Sequence, residues 1–455
     1  MVNDFMNNNP FLPQTEIDRK KMLKELSKTS VEDLFEDIPS NVIMERDLNL
    51  PEPLSEMELE KHIDELAVKN KSCKEYISFL GGGVYDHYVP SVVKHVLNRS
   101  EFYTSYTPYQ AEISQGTLQS MFEYQTMIAN LTGMEIANAS IYDGATATAE
   151  AAIKSIAISR KNEIIVSSTL NPSYREVLKT YLEGQGFTLK TLPHKKGMSD
   201  LSELAQMVTA DTACVILQSP NYFGILEDFA PVKDALNKSK ALFVVVTDPI
   251  SLALIEPPAS WGADIVVGDG QSFGNPMNFG GPLLGFFAAK EKNIRKMPGR
   301  MSGETIDKDG NMGFVMTLQT REQHIRREKA TSNICSNQAL NVIAACVYLS
   351  IMGPKGLKEV ANHSMQKAHY ASKQLEELDG VKLKFEDRPF FKEFLLELPG
   401  PVESIQEALL EKGIFAGIDV GKYYQDLENC LLLSFTEKRS KGEIDYLVKS
   451  LGEVL

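Results

Sequence analysis

Residues 243–248 read FVVVTD, residues 263–272 read ADIVVGDGQS, and residues 279–288 read FGGPLLGFFA. The first two runs are short, apolar and rich in β-branched residues, and turn-forming residues bound each of them. This is the pattern of buried parallel strands. Asp248 ends the first run, and the C-terminal end of a parallel strand faces the crevice where α/β sheets bind ligands. The pattern predicts a mostly parallel α/β sheet with a ligand crevice beside Asp248.

The spacing after Asp248 resembles a cofactor half-site that lacks its covalent anchor. Enzymes that use pyridoxal phosphate (PLP) place a carboxylate against the pyridinium nitrogen, and their Schiff-base lysine is expected roughly twenty residues further on. The residue 23 positions after Asp248 is Gln271. A glutamine amide cannot form an imine. The alternative is that Asp248 is a turn residue and that residues 268–285 are a glycine-rich connection between strands.

Composition narrows the class of protein. The chain has 455 residues and a net charge of 47 − 61 = −14, which opposes nucleic acid or an anionic membrane as partner. The five cysteines are scattered without a CxxC pair, so we expect reduced thiols and no metal site. The N-terminus lacks the layout of a signal peptide, and no run of 18 apolar residues interrupts the chain. We therefore expect a cytoplasmic protein with a small-molecule or protein partner.

Four parts follow from the order of the predicted elements. They are an N-terminal arm (1–60), a large α/β domain in which strands alternate with helices (61–296), a long loop with a connecting helix (297–354), and a small C-terminal α/β domain (355–455). The arm is predicted to hold helices that begin near Glu16, Ser30 and Ser55. Because it has little core of its own, we expect the arm to pack on another subunit or domain.

Two loops are rich in aromatic and hydrogen-bonding residues. Residues 79–90 and 101–116 lack either secondary-structure period, and loops of this composition are more often binding surfaces than filler; a buried packing loop is the alternative. Thr117–Leu131 is predicted to be an amphipathic helix that ends at Gly133. Gly144-Ala145-Thr146 begins an alanine-rich helix, whose free amide groups are a weak signal for an anion site.

Long stretches of the chain resemble one known family. Residues 79–90, 103–116, 138–150, 280–287 and 320–337 are similar to the glycine cleavage system P-proteins, and in particular to the first subunit of the two-subunit form. The resemblance implies the fold type I PLP-dependent transferase-like architecture: a large domain with a mostly parallel sheet and a smaller C-terminal α/β domain. Gln271 at the place of the lysine, after Gly270 at the place of a histidine, is similar to the first-subunit pattern.

The resemblance also implies a reaction shared between subunits. Glycine would lose CO2 on PLP that is bound by a lysine-bearing subunit 2, and its aminomethyl group would pass to lipoamide of the H-protein. The assembly would be a heterotetramer with two copies of each subunit. This chain would carry no covalent cofactor and would complete the shared active site.

Site residues are implied by matching positions. The shared-site candidates are Tyr103, Tyr106, Thr107, Tyr109, Gln110, Glu112, Gln115 and His87. The positions of a vestigial cofactor site are Gly144, Ala145, Thr146, Asn221, Asp248 and Gln271. Arg300, Arg326 and Arg327 are candidates for docking the acidic H-protein, although a solvated charged face is the commoner explanation.

Other interpretations stay open at this point. A self-sufficient PLP enzyme would need another lysine, for instance Lys290 or Lys292. A purely structural or regulatory partner would complete the fold of its sister subunit without touching substrate. A single-chain P-protein is not expected, because no lysine-bearing second half follows Leu455.

Overall fold

A computed structural model describes residues 14–44, 46–237 and 239–455, which form two compact units that meet between Asn70 and Lys71. In the first unit, helix α1 spans Glu16–Glu25, 3-10 helices span Glu32–Phe35 and Ser40–Val42, and helix α2 spans Glu56–Ala67. Part of the predicted arm, residues 1–13 and position 45, lies outside the described residues.

Capping explains where the arm's helices begin. Reciprocal capping boxes join Thr15 to Asp18 and Ser55 to Glu58, so the backbone donors at both helix starts have partners. The predicted starts near Glu16 and Ser55 are confirmed. The segment after Ser30 forms a 3-10 turn instead of an α-helix.

The second unit contains the remaining elements. Its helices are α3 Ser91–Leu97, α4 Ser100–Tyr103, α5 Gln115–Thr132, α6 Gly144–Ser159, α7 Pro172–Glu183, α8 Leu201–Met207, α9 Val232–Leu236, α10 Gln323–Arg326, α11 Ala339–Leu375, α12 Val402–Glu411 and α13 Lys441–Val454. Its strands are β1 Ile77–Ser78, β2 Ile136–Ala137, β3 Glu163–Ser167, β4 Thr188–Leu192, β5 His194–Lys195, β6 Met198–Ser199, β7 Thr212–Gln218, β8 Leu242–Val246, β9 Ile265–Asp269, β10 Gly285–Ala289, β11 Met301–Ile306, β12 Met312–Thr317, β13 Lys382–Leu383, β14 Glu393–Glu397, β15 Ile414–Phe415, β16 Ile418–Asp419 and β17 Cys430–Ser434.

The large sheet has seven strands in the order β2-β10-β9-β8-β7-β3-β4. Strands β9, β8, β7, β3 and β4 run parallel to one another, and β10 pairs antiparallel with both β9 and β2. The prediction of a mostly parallel sheet is confirmed. The carboxyl ends of β7, β8 and β9 therefore meet at one edge.

Both faces of this sheet are buried. Along β8, Phe243 and Val245 pack into one apolar cluster with side chains of α5 and α11. The intervening Val244 and Val246 pack into a second cluster with side chains of α6 and α7. Alternate residues of a strand point to opposite faces, so helices cover the sheet on both sides and its strands are apolar throughout.

Helix α11 is the one described helix that is long and apolar enough to cross a membrane. It bends at Gly353, where the backbone has φ 57° and Pro354 follows. Val342, Ala345 and Tyr348 are buried in the core. The helix is therefore a kinked core element.

A second sheet lies in the C-terminal part, with the strand order β13-β14-β17-β16. Side chains of β14, β17, α12 and α13 form its apolar core. Strand β1, from the start of the second unit, forms a separate two-stranded sheet with β15, in which Ile77 pairs parallel with Ile414. The C-terminal part therefore has a smaller sheet covered by helices, as expected, and it also pairs with a strand from far upstream.

The structure corrects the prediction for residues 297–332. Strands β11 and β12 form an antiparallel hairpin with Met301 opposite Thr317, where the sequence suggested only a loop. The hairpin was missed because Gly303 and Gly313 interrupt its two strands and the turn between them carries the charged residues Asp307, Lys308 and Asp309. The predicted connecting helix begins at Ala339 and continues past residue 354 to Leu375.

Candidate active site

A polar cluster occupies the edge of the large sheet where β7, β8 and β9 end. Gln218 ends β7, Asp269 ends β9, and Asp248 follows β8. The cavity that they line, together with Tyr85, Tyr174, Lys392 and others, measures about 30 Å3, which is room for water but far below the size of a usual ligand pocket. The predicted crevice beside Asp248 is present, but it is almost filled by side chains.

Lys392 is the side chain that fills it in front of Asp248. Its ammonium lies 2.7 Å from Asp248 Oδ2, and its side chain is 1% exposed. The ammonium also lies 2.9 Å from His87 Nε2 and 3.4 Å from the centre of the Tyr85 ring. Asp248 therefore has an internal cation as its partner.

His87 links this ion pair to Glu437, which follows β17 of the smaller sheet. A lysine ammonium only donates, so His87 Nε2 accepts from Lys392. The Nδ1 atom then carries the ring's proton and donates to Glu437 Oε2 at 2.6 Å. Burial acts to raise the pKa of Glu437, but His87 and the Tyr88 amide, which donates to Glu437, together lower it to about 2.

Glu393 follows Lys392 and binds the same loop. It accepts hydrogen bonds from the Gly82 amide at 2.7 Å and from the Tyr85 hydroxyl at 2.8 Å. Burial raises the pKa of Glu393 to about 7. A Cβ atom at Gly81 would lie 2.1 Å from its Oε1 atom, so the close approach of loop and carboxylate requires glycine at that position.

Gln271, at the expected place of the lysine, is buried and fully bonded. Its Oε1 accepts from the Tyr85 amide at 3.0 Å, and its Nε2 donates to the Tyr85 carbonyl at 3.1 Å and to the Asn275 carbonyl at 2.6 Å. These contacts need one acceptor and one donor on the same side chain, which an amide provides and an ammonium does not. Gln271 therefore fixes the 79–90 loop on the edge of the sheet.

The start of α6 carries acidic groups in place of a free anion site. Asp143 accepts from the Thr146 amide at 2.7 Å, and Asp269 accepts from the Gly144 amide at 3.0 Å. Burial raises the pKa of Asp269 to about 6. A Cβ atom at Gly144 would meet the Tyr174 hydroxyl at 2.1 Å, while Ala145 is buried beside them. The amides that would attract an anion already bind carboxylates.

Asn221 is the last of the six positions expected in a vestigial site. It is buried, and its amide nitrogen donates to the Gly197 carbonyl and to Glu227, both at 2.8 Å. Its oxygen accepts from the amides of Phe223 and Ile225. Asn221 thus holds the turn after β7 and does not line the cavity.

These residues do not fit PLP. Position 271 has no amine, Lys392 stands against the carboxylate that would face the ring nitrogen, and Asp143 and Asp269 occupy the start of α6. Pockets for small ligands usually have about 300–1,000 Å3, against a cavity of about 30 Å3. We therefore assign no step of a reaction to a cofactor in this chain.

The loop of residues 101–116, called the tyrosine-rich loop below, differs from this buried cluster because most of its candidate side chains are exposed. Tyr106 is 75% exposed, and Tyr103 and Tyr109 are also exposed. Gln110 and Glu112 are exposed as well. Thr107 is half-buried, and its Oγ1 atom is a buried polar atom without a partner among the described residues. Most of the predicted shared-site residues are thus brought together on one accessible loop.

Gln115 and Tyr109 anchor this loop. Gln115 Oε1 accepts from the Phe314 amide, and its Nε2 donates to the Phe314 carbonyl, both at 2.8 Å. The Tyr109 hydroxyl accepts from Arg300 at 3.2 Å. Arg300 is buried and also donates to the Cys335 carbonyl, so the interpretation of Arg300 as a docking residue is wrong. Arg326 and Arg327 are exposed.

Several members of the cluster were not predicted from the sequence. Lys392, Glu393 and Glu437 belong to the C-terminal part, far in the sequence from the loop of residues 79–90 that carries Tyr85 and His87. The signal available was a Lys-Glu pair enclosed by phenylalanines at the start of an apolar strand, in the run FFKEF of residues 390–394. A charge at such a position is buried only when it is paired.

Comparison with known proteins identifies the family. Residues 9–451 match the family model for the glycine cleavage system P-protein. A relative from Chloroherpeton thalassium, named probable glycine dehydrogenase (decarboxylating) subunit 1, is 52% identical over 98% of this chain and 100% of its own length. A relative of the same name from Carboxydothermus hydrogenoformans is 52% identical over 97% of this chain and 99% of its own length.

Solved structures agree. A crystal structure of glycine decarboxylase (P-protein) of the glycine cleavage system, in inhibitor-bound form, superposes with a TM-score of 0.87 at 44% identity, covering 97% of this chain and 99% of that chain. Sphingosine-1-phosphate lyase of Burkholderia pseudomallei has a TM-score of 0.64 at 13% identity, covering 90% of this chain and 92% of that chain, and it shares the fold alone. The fold is that of fold type I PLP-dependent enzymes, and the chain belongs to the glycine cleavage system P-protein family.

Proposed function

We propose that this chain is subunit 1 of a two-subunit glycine dehydrogenase (decarboxylating), and that it completes an active site whose PLP is bound by a lysine-bearing subunit 2. The complex decarboxylates glycine and transfers the aminomethyl group to lipoamide of the H-protein. The assembly is a cytoplasmic heterotetramer with two copies of each subunit. The names of the relatives support the subunit assignment.

The observation that carries the proposal is Gln271. Its amide binds both backbone groups of Tyr85, so the position of the lysine has become part of the structure of the chain. With Lys392 paired to Asp248, side chains of the described residues occupy the crevice in which this fold binds PLP. The covalent work then falls to the partner.

The tyrosine-rich loop supports the shared site. Tyr106, Gln110 and Glu112 are exposed, and the polar atoms of their side chains make no hydrogen bond to other described residues. Exposed polar and aromatic groups on an anchored loop suit contact with a partner and its substrate. Tyr103, Tyr109 and Thr107 shape the loop, Gln115 anchors it, and Arg326 and Arg327 remain candidates for H-protein docking.

His87 has a different place. Its imidazole is buried between Lys392 and Glu437, and both of its nitrogens are used inside the chain. We propose that it positions the 79–90 loop, while the residues of the tyrosine-rich loop reach the shared site.

A self-sufficient enzyme is disfavoured by the two alternative lysines. Lys290 pairs with Asp264 at 2.6 Å, next to the N-terminal end of β9 and thus at the opposite edge of the sheet from Asp248. Lys292 is exposed in the 3-10 helix that follows β10. Neither lies by the carboxyl ends of the parallel strands.

The first test is trapping of an imine. The purified chain is mixed with PLP, treated with borohydride, and digested for mass spectrometry, first alone and then with the lysine-bearing subunit. We expect no site-specific adduct on this chain, and an adduct on the partner only, with glycine decarboxylation in the mixture. A stoichiometric adduct on one lysine of this chain would overturn the proposal.

The second test asks whether this chain touches the shared site. Tyr106→Ala should lower glycine decarboxylation by about 100-fold, the scale of one positioned polar group, while gel filtration shows the same assembly. Tyr423→Ala, at another exposed tyrosine, is the matched control and should leave turnover unchanged. Unchanged turnover in Tyr106→Ala and Gln110→Ala would favour a purely structural partner.

A further inference from the structure

The ammonium of Lys392 has a partner for each of its three hydrogens. Asp248 Oδ2 lies at 2.7 Å, His87 Nε2 lies at 2.9 Å, and the face of the Tyr85 ring has its centre at 3.4 Å. A carboxylate, a neutral acceptor and an aromatic face satisfy a primary ammonium completely. The arrangement is a built site for one cation, which the chain supplies itself.

The groups of this site come from three separate parts of the second unit. Asp248 follows β8 of the large sheet, and Lys392 directly precedes β14 of the small sheet. The Lys392 carbonyl accepts from the Phe435 amide beside β17 at 2.9 Å, so its backbone belongs to the small sheet. Tyr85 and His87 lie on the loop between them. The ion pair joins both sheets and that loop.

Neighbouring bonds tie the same loop to the small sheet's segment 434–439. Asp86 pairs with Lys438 at 2.6 Å and with Arg439 at 3.1 Å. The Thr436 hydroxyl donates to the Asp86 carbonyl at 2.8 Å. Residues of the C-terminal part therefore hold this loop at Asp86. The Lys392 ammonium is the group that connects the same part of the molecule to Asp248.

We propose that the Lys392 ammonium is a resident counter-ion for Asp248, in the position that the fold otherwise offers to a ligand cation, and that it holds the two sheets of the second unit closed without any ligand. In the fold, an acidic residue at this strand end faces the cofactor's pyridinium. Here the small sheet delivers a permanent substitute. The inference concerns this chain alone and does not depend on the proposed function.

A buried carboxylate that loses its cation is strongly destabilising. We expect Lys392→Ala to lower the apparent Tm of the full chain by about 5 to 10 °C. Lys384→Ala is the matched control: Lys384 also pairs with a carboxylate, that of Glu397, at 2.9 Å, but both side chains are partly exposed. It should lower the Tm by about 1 °C or less.

Chemical rescue distinguishes a cation site from general packing. Lys392→Ala removes the atoms of a propylammonium ion, so propylammonium chloride should raise the Tm of this variant by several degrees (~3 °C), relative to potassium chloride at equal ionic strength. The Lys384→Ala and unmodified chains should show no such difference. Lys392→Arg should not restore the Tm, because a planar guanidinium does not match the three partners.

A double variant covers the case in which Lys392→Ala does not fold. Asp248→Asn combined with Lys392→Met removes both charges, so it should fold and recover at least half of the lost Tm. Equal Tm values for Lys392→Ala and Lys384→Ala, absence of selective rescue, or failure of the double variant to fold would each overturn the proposal.

Discussion

The edge of the large sheet and the tyrosine-rich loop use similar residue types to opposite effect. At the sheet edge, Gln271, Lys392, Glu393 and His87 are buried, and each is bonded to other groups of the same chain. On the loop, Tyr106 and its polar neighbours are exposed. Groups that satisfy one another inside a protein define its structure, whereas groups left to solvent are available for a partner.

Two glutamines, one at each place, make the same kind of contact. Gln271 brackets the backbone of Tyr85, and Gln115 brackets the backbone of Phe314 in the same manner. Both are clamps that hold a loop. The sheet-edge loop is thereby enclosed between the two sheets, while the tyrosine-rich loop is held at its base and remains open at its tip.

The strongest challenge to this contrast is to restore the lysine. Gln271→Lys should not produce a PLP imine, since Asp248 already has a cation and the cavity is about 30 Å3. The variant buries an ammonium against the Tyr85 amide and should lower the free energy of unfolding by about 4 kcal/mol. Denaturant unfolding and absorbance with PLP measure both. An imine in a stable variant would show that the site had kept its capacity for the cofactor.

Within the loop, Glu112 and Gln115 should separate turnover from stability. Glu112→Gln should lower glycine turnover of the assembled complex by about tenfold to 100-fold with no change in Tm, because its side chain is exposed. Gln115→Ala should instead lower stability by about 2 kcal/mol, since it leaves the Phe314 amide and carbonyl unpaired. If both variants act on turnover alone, the anchoring role of Gln115 is wrong.

The pH dependence of stability tests the buried charged groups at the edge of the large sheet. The pKa of Glu393 is raised by burial to about 7, so the folded chain favours its protonated form. Its contribution to stability is complete below pH 4.5 and is lost as pH rises toward 7, by roughly 3 kcal/mol. Glu437 acts in the opposite direction, because its pKa is lowered to about 2, and its contribution is lost only as pH falls from 4.5 toward 2.

Glu393→Gln should therefore flatten the fall in unfolding free energy between pH 4.5 and 7. Glu397→Gln, on the same strand but partly exposed, should leave the profile unchanged. Asp269, with a pKa raised by burial to about 6, adds to the slope up to pH 6, as do Glu150 and Glu227, whose pKa values burial also raises. A profile that Glu393→Gln does not alter would mean that the carboxylate is ionised in the folded chain throughout this range.

The smallest expected effect is that of the cofactor itself. Millimolar PLP should change the Tm of the isolated chain by less than about 1 °C, because a ligand stabilises a protein only when it binds the folded state. Differential scanning fluorimetry measures this, with the lysine-bearing subunit as the positive control. A concentration-dependent increase would show that the sheet edge opens to admit a ligand.

The sheet was predictable because its signal is local. Runs such as FVVVTD are apolar over a whole strand and bounded by turn residues, and buried parallel strands need no more than that. The capping boxes at Ser55 and Thr15 mark helix starts for the same reason. The hairpin at Met301–Thr317 was missed because glycine and charged residues obscure its alternation.

The enclosed cluster was not predictable, because its contacts are distant in the sequence. His87 and Lys392 are 305 positions apart, and nothing near Lys392 indicates which carboxylate it meets. The sequence showed that Gln271 cannot form an imine, but only the structure shows that its amide binds Tyr85. The exposure of the tyrosine-rich loop was expected from its composition, while the bond between Tyr109 and Arg300 was not.

The pairing of Ile77 with Ile414 bears on how the chain is made. Strand β1, near the start of the second unit, forms a two-stranded sheet with β15, so this pair cannot form until the chain has been synthesised as far as Phe415. Such a long-range closure slows folding. A fragment that begins after the bend at Gly353 also lacks this strand, which makes the C-terminal part a poor unit for separate expression.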